Sequence, residues 1–268
     1  MSTLTHQVNS QDAIRGLLEE FKDNQWFTDQ CWPENKSRVL SMVADVSERK
    51  PDRQARILDV GCANGYVTYL LAKAGYAVTA TDSWAIPERD RLFEQLGVRY
   101  FASNLNDLEP FANLKENTFD GIVCGEVFEH ILNHPLGILK EFSRVLKPGG
   151  LLVLTTPNPS TVMNALRVLL DRNSLWGTDV FIERAKFKDG DVIDQGDVHY
   201  REYTTREVKH ALEIAGFSVE TIRYMGMGLS GKQPPFKKLL KLLAKTLMTR
   251  RPFACTHYFI AVKRDGRA

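Results

Sequence analysis

The run Ile57-Leu58-Asp59-Val60-Gly61-Cys62-Ala63-Asn64-Gly65-Tyr66 decides how the rest of the chain is read. An apolar stretch enters a turn carrying two glycines, and a helical pattern from Tyr66 to Ala74 begins directly after it. Glycine adopts positive φ at no Cβ penalty and lets a ligand approach the backbone closely. A helix amino terminus then offers unbonded N–H groups to that ligand. A second apolar run, Ala77-Val78-Thr79-Ala80-Thr81-Asp82, follows the helix and ends on a carboxylate that can accept both hydroxyls of a ribose.

The same grammar continues outward. Further strands are expected at Val98 to Phe101, Gly121 to Cys124 and Leu151 to Thr155. A helix is expected over Pro135 to Leu146, stopped by Lys147-Pro148-Gly149-Gly150. Strands that alternate with helices and read as continuous apolar runs imply an α/β chain with a parallel sheet covered on both faces. After a helix over Thr205 to Ala215, the runs Phe217 to Tyr224 and His257 to Lys263 predict an antiparallel pair at the sheet edge. Upstream, Gln11 to Ser47 reads as helical, with Ile14, Leu17, Leu18 and Phe21 on one face and Trp26, Phe27 and Trp32-Pro33 interrupting. The expected organisation is a helical cap over 1–52 and one α/β domain over 53–268, with insertions at 160–200 and 226–252. The first insertion follows a strand carboxyl end, where doubly wound sheets build their binding crevice.

With 43% hydrophobic residues the 268-residue chain excludes disorder, and four scattered cysteines exclude a disulfide scaffold. No apolar run approaches the ~20 residues of a membrane span, and Met1 to Asn24 lacks a secretory apolar core. A cytoplasmic protein is expected, peripheral on a membrane if the basic segment described below docks there. Ten of the 35 basic residues fall between Thr221 and Arg264, where no acidic residue occurs. The remainder therefore holds 25 basic against 33 acidic residues, a formal −8. A domain of that sign is a poor nucleic-acid binder, and no Asn-Pro-Pro-Tyr-like stretch offers to cradle a flipped base.

The glycine turn fits a nicotinamide cofactor or S-adenosylmethionine, and charge separates them. Pyrophosphate seating wants G-x-G-x-x-G. Here Gly61 and Gly65 flank Ala63, and Asp59 at the mouth of the turn repels pyrophosphate but attracts the ammonium of a methionine moiety. Taken with Asp82, Phe119-Asp120-Gly121-Ile122-Val123-Cys124, Glu129-His130 and Leu146-Lys147-Pro148-Gly149-Gly150, the turn resembles class I S-adenosylmethionine-dependent methyltransferases over Arg56 to Pro157 and His199 to Phe217. Within that class it looks like the branch of ubiquinone-pathway and polysaccharide-cluster methyltransferases. The resemblance implies a Rossmann-like doubly wound, mostly parallel seven-stranded sheet with an antiparallel edge strand. It also implies that Gly61, Cys62, Ala63, Asn64 and Gly65 line the methionine and ribose. Asp82 would hold the ribose, with Ser83 or Trp84 against the adenine, Asn104 and Leu105 at its edge, and Cys124, Gly125 and Glu126 beneath the sulfonium. Two positions depart from the family: Ala63 stands for the usual middle glycine, and Asn104 for the usual Asp.

Methyl transfer from a sulfonium is an in-line displacement that rests chiefly on alignment, but a hydroxyl acceptor also needs a base for its proton. His130, just after the strand ending near Cys124, and His199, after the first insertion, are the candidates. The residues alone leave open that His130 orients the following helix and that His199 packs beneath the insertion. No Asp, Glu and His spacing matches a metal motif, so a metal-independent enzyme is expected. Arg38 is a candidate for the methionine carboxylate. Between Phe236 and Met248 lysines occupy one helical sector and leucines the other, a pattern of interfacial helices that suits an anionic membrane surface through 236–251. Packing on the sheet or on a second subunit remains the other reading. The expected function is O-methylation of a glycan or lipid-linked acceptor, the alternatives being a small-molecule or quinone-precursor acceptor and a non-catalytic cofactor-binding scaffold at a membrane.

Overall fold

The computed structural model describes residues 32–132, 134–174, 186–188, 191–194, 199–226 and 249–265. The expected helix over 236–248, and residues 11–31 of the expected amino-terminal helical stretch, lie outside them.

Seven strands form one sheet: β1 (Arg56–Val60), β2 (Ala77–Asp82), β3 (Arg99–Ala102), β4 (Phe119–Gly125), β5 (Leu146–Pro157), β8 (Phe217–Met225) and β9 (Thr256–Lys263). Their order is β3-β2-β1-β4-β5-β9-β8. The strands β1 to β5 are parallel, and β9 runs antiparallel to both β5 and β8. The expected antiparallel pair therefore closes that edge, with the reversed strand one place in from it and β8 outermost. A separate two-stranded ribbon, β6 (Lys186–Lys188) and β7 (Asp191–Asp194), lies within the first insertion.

Consecutive residues of each central strand serve opposite faces, as the two-residue strand period requires. Ile57, Val123, Val153 and Ile260 join a core under helices α1 (Trp32–Arg49) and α2 (Tyr66–Lys73). Leu58, Cys124, Leu154 and Phe259 join the opposite core under α4 (Pro135–Val145) and α6 (Thr205–Ile214). Helix α4 buries Ile138, Leu139, Phe142 and Val145 at helical spacing. Helix α6 starts on a capping box: Thr204 Oγ1 accepts from the Glu207 N–H, and the Glu207 carboxylate accepts from the Thr204 N–H.

The stop at Lys147-Pro148-Gly149-Gly150 is present, but no loop follows it. Strand β5 begins at Leu146, and its register against β4 jumps from Phe119↔Leu146 to Gly121↔Leu151. The turn residues are absorbed as a bulge, which Lys147 secures by donating to Asp120 Oδ1 at 2.6 Å. Helix α1 is fixed to the sheet edge by its buried Asp45. That carboxylate accepts two hydrogen bonds from Arg223 on β8 at 2.9 and 3.0 Å and one from Tyr258 on β9 at 2.6 Å.

Between β1 and β4 the strand order reverses, which opens a crevice at their carboxyl ends. Gly61 follows one strand there and Gly125 ends the other. No helix among the described residues is long and apolar enough to cross a membrane.

Candidate active site

The turn after β1 is held both by its own Gly65 N–H to Cys62 O bond at 2.7 Å and by its neighbours. Gly61 and Cys62 donate their N–H groups to Thr81 O at 2.9 and 3.1 Å. Gly61, Ala63 and Gly65 have φ of 68°, 43° and 82°. A Cβ on Gly61 would sit 2.2 Å from Val127 Cγ2, and one on Gly65 2.8 Å from the Phe93 ring, so both glycines are required twice over. Ala63 keeps the left-handed conformation at a cost of about 1–2 kcal/mol. Its N–H is secured by Asp82 Oδ2 at 2.7 Å, while Asp82 Oδ1 accepts from the Ser83 N–H at 2.8 Å.

Asp59 is buried and accepts from Thr68 Oγ1 at 2.6 Å. Burial pushes its pKa up to about 6 against that hydrogen bond, with the Asp82 charge adding to the rise. Cys62 and Cys124 are buried in the two cores, and burial holds both thiols well above their ordinary range, so neither is a nucleophile.

A cleft runs from Gly61 past Asp82 and Ser83 to Asn104 and Leu105, and ends at His130. Trp84 stands exposed outside its lining, and Asn64, in the turn after β1, is half-buried. The Asn104 side-chain oxygen accepts from the Asn106 N–H at 3.0 Å, an Asx turn that shapes this wall. Asn106 in turn ties the wall to the far end of the cleft: it donates to His130 O at 3.2 Å and accepts from the Leu132 N–H at 2.7 Å.

Beneath the cleft, Gly125 admits α1. A Cβ there would lie 2.5 Å from Arg38 Nη1 and 3.1 Å from Met42 Cε. Glu126, at φ 57°, turns out of β4. Thr81 Oγ1, Glu126 Oε1, Glu129 Oε1 and Thr155 Oγ1 are buried without a hydrogen-bond partner. Orphaned polar atoms gathered at one end of a sheet call for a polar ligand. Arg38 is the cation that acts on Asp59, Cys124 and Glu129, amid the carboxylates of Asp59, Asp82, Glu126 and Glu129. Such a surplus of carboxylates suits a cationic ligand and repels a pyrophosphate.

The second half of the site is assembled from three distant segments. A short 3₁₀ turn, Phe128–His130, buries Glu129 completely. Glu129 Oε2 accepts from Thr156 Oγ1 at 2.9 Å, and its main-chain oxygen accepts from the N–H of Tyr200 at 3.0 Å. That last bond brings His199 against His130, ring centroids 5.1 Å apart at 79°. Glu129 Oε1 lies 4.0 Å from His130 Nε2 and 3.9 Å from His199 Nε2. His199 Nδ1 meets Glu202 Oε1 at 2.9 Å. Burial, reinforced by Glu126, holds the Glu129 carboxyl well above the usual carboxylate range.

The expectation of no metal motif rested on linear spacing. Folding brings together what the spacing does not: ligand atoms of Glu129, His130 and His199 all lie within 4.8 Å of one another, a set that could hold a cation. Thr156 and Glu202 were not singled out from the sequence. Thr156 ends an apolar run, and Glu202 is one acid among many, so only the spacing of three from His199 marks it.

Residues 32–222 match the family described as a methyltransferase domain. The chain is 30% identical over 236 residues to a ubiquinone biosynthesis O-methyltransferase of Xanthomonas axonopodis pv. citri (strain 306), spanning 84% of this chain and 89% of the relative. Among solved structures, an S-adenosylmethionine-dependent methyltransferase from Mesorhizobium loti aligns with a TM-score of 0.55 at 15% identity, over 89% of this chain and 100% of that one. A Burkholderia thailandensis 1,6-didemethyltoxoflavin-N1-methyltransferase, with S-adenosylhomocysteine bound, aligns with a TM-score of 0.53 at 17% identity, over 97% of this chain and 87% of that one. At such identities the two structures speak to the fold. The chain belongs to the S-adenosylmethionine-dependent methyltransferase family. It is an enzyme, a transferase whose cofactor is S-adenosylmethionine.

Proposed function

We propose that this methyltransferase O-methylates a hydroxyl on a small, apolar acceptor of the quinone-precursor type, taken up at a membrane surface. The observation that carries the reading is the 30% identity to a ubiquinone biosynthesis O-methyltransferase over 236 residues. It favours the quinone-type acceptor over the glycan or lipid-linked acceptor that the sequence alone put first. Relatives named as enzymes favour catalysis over a scaffold role.

The cofactor-side assignments follow the cleft. Gly61 to Gly65 take the methionine and ribose, Asp82 the ribose hydroxyls, and Ser83, Trp84, Asn104 and Leu105 the adenine. Gly125 and Glu126 lie under the sulfonium, Asp59 faces the ammonium and Arg38 the carboxylate. Bound S-adenosylmethionine supplies an electrophilic methyl group whose leaving group is neutral. His199, oriented through Nδ1 by Glu202, takes the acceptor's hydroxyl proton at Nε2, the logic of an acid-braced imidazole. His130, on the cofactor cleft, positions the acceptor oxygen between the two halves.

A second reading of the cluster, a divalent cation on Glu129, His130 and His199 that binds the acceptor oxygens, is favoured by the unpartnered Glu129 Oε1. Exhaustive chelation separates them: full activity supports the base, and loss restored by added Mg²⁺ supports the cation.

The membrane surface is supported by helix α5 (Val162–Leu169), which has no buried residue. Met163, Leu166, Leu169 and Leu170 are exposed there beside Arg167 and Arg172. The Val162 N–H donates to Pro252 O, so the helix start adjoins the exposed Arg250, Arg251 and Phe253 of the acid-free segment. Apolar side chains among cations suit anionic lipid.

The test supplies methyl-labelled S-adenosylmethionine with extract of the source cell and partitions the products. Label in the organic phase on a small aromatic supports the reading. Label in aqueous polymer returns the assignment to a glycan. Co-sedimentation with anionic vesicles that survives Leu169→Glu with Leu170→Glu, and Lys→Glu at 237, 238, 241 and 245, removes the membrane surface.

A further inference from the structure

We propose that Arg89 is the positioning residue of the cofactor site, a buried cation that sets the separation of the two loops between which the nucleoside lies. The inference rests on the cofactor-side assignments above.

Arg89 stands in the first turn of α3 (Pro87–Gln95), outside the cleft lining, and is the largest fully buried side chain among the described residues. A buried guanidinium needs partners for its fixed fork of donors. Its Nη1 donates to Ala63 O at 2.8 Å, its Nη2 to Trp84 O at 3.0 Å, and its Nε to Asp90 Oδ1 at 2.9 Å. One planar group thus bridges the turn after β1 to the loop after β2.

Surrounding contacts make the bridge rigid. The guanidinium lies 4.5 Å from the Tyr100 ring centroid, and the Tyr100 hydroxyl donates to the same Trp84 carbonyl at 2.8 Å. Gly65 sits against Phe93 and Arg89 Cγ, so the turn rests on the same helix. Ala63 is thereby held at both ends in its left-handed conformation, its N–H by Asp82 and its carbonyl by Arg89. Without Arg89 the Ala63 and Trp84 carbonyls lose their common partner, the strained turn relaxes, and Asp82 loses its fixed distance to the adenine wall.

None of this reaches Glu129, His130 or His199, so the effect is confined to cofactor affinity. A lysine carries the charge but has no planar fork to bridge both carbonyls. In the full chain, Arg89→Met is expected to raise the Kd and KM for S-adenosylmethionine at least about tenfold, while kcat at saturating cofactor and the acceptor KM stay within twofold. Arg89→Lys falls between it and wild type. Tyr100→Phe, which keeps the ring and removes only the donor to Trp84, weakens cofactor binding about threefold.

The decisive readout is titration of wild type and the three variants with S-adenosylmethionine and S-adenosylhomocysteine, beside thermal unfolding without ligand. Folded Arg89→Lys and Tyr100→Phe proteins with wild-type cofactor affinity overturn the proposal, as does a fall in kcat with KM unchanged. Should Arg89→Met fail to fold, the other two variants decide. Wild-type protein that binds neither ligand overturns the cofactor-side assignments themselves, an outcome distinct from variants that match a binding wild type.

Discussion

The two halves of the proposed active site are built on different plans. On the cofactor side, successive loops after β1 and β2 hold each other by Thr81, Asp82 and Arg89, while the side-chain oxygens Thr81 Oγ1 and Glu126 Oε1 stay without a hydrogen-bond partner. On the acceptor side, Glu129, His130 and His199 come from two remote segments, and a fully buried carboxylate oxygen is left without a hydrogen bond. The first half is a mould fixed by bonds between neighbouring loops. The second stores unmet hydrogen-bonding capacity, as sites that meet their partner only in the reaction do. Chemistry and binding should therefore be separable by mutation.

The widest separation is expected at His199. His199→Ala should lower the rate of methyl transfer ~10²–10⁴-fold, the range of general bases, with cofactor affinity unchanged in the same sample. Glu129→Gln sharpens the point, because burial disfavours the ionised carboxylate and an amide imitates the neutral acid. It should retain transfer within about tenfold if His199 is the base, whereas a cation on this cluster requires the ionised carboxylate, and transfer would then vanish. Next in size, Asp82→Ala should weaken S-adenosylmethionine binding about 100-fold, since it strips the acceptor from two backbone N–H groups and from the ribose. Equilibrium dialysis with labelled cofactor reads this directly.

Acidity offers a milder way to pull the halves apart. Asp59 titrates near 6 in the ligand-free protein, above its unfolded value. A raised acid contributes stability that is fully present below the unfolded pKa and is lost as pH rises through the folded one. Ligand-free protein should accordingly lose stability between about pH 4 and 6. Cofactor binding has the reverse trend, because the ammonium wants Asp59 ionised: affinity should fall about tenfold from pH 7 to pH 5. Asp59→Asn should flatten both profiles. The smallest effect is expected at Ala63→Gly, which removes the left-handed penalty and should stabilise the fold by about 1 kcal/mol without changing the rate.

The same contrast explains what could be read from the sequence. The cofactor half is written in consecutive residues: strand, glycine turn, helix, acid-ended strand, each set by local backbone chemistry. Asp59, Gly61, Gly65 and Asp82 were legible for that reason, and the mostly parallel sheet with its antiparallel edge followed from alternation and resemblance. Arg89 was not, because one of two arginines in an exposed-looking run, Pro87-Glu88-Arg89-Asp90-Arg91, carries no mark of burial. The acceptor half was legible only as two separate histidines. Their meeting depends on a backbone bond from Tyr200 to Glu129 across a long insertion, and no spacing rule encodes that. The cation-capable cluster escaped for the same reason. At Lys147 to Gly150 the composition spelled a turn, and tertiary pairing with β4 turned it into a strand bulge.

One measurement tests the separation of binding from chemistry most directly: cofactor affinity and single-turnover methyl transfer, determined on one preparation of His199→Ala with a lipophilic catechol presented in anionic vesicles. The predicted result is wild-type affinity with transfer reduced at least ~100-fold. Transfer at the wild-type rate, or a loss of affinity that matches the loss of transfer, would contradict it.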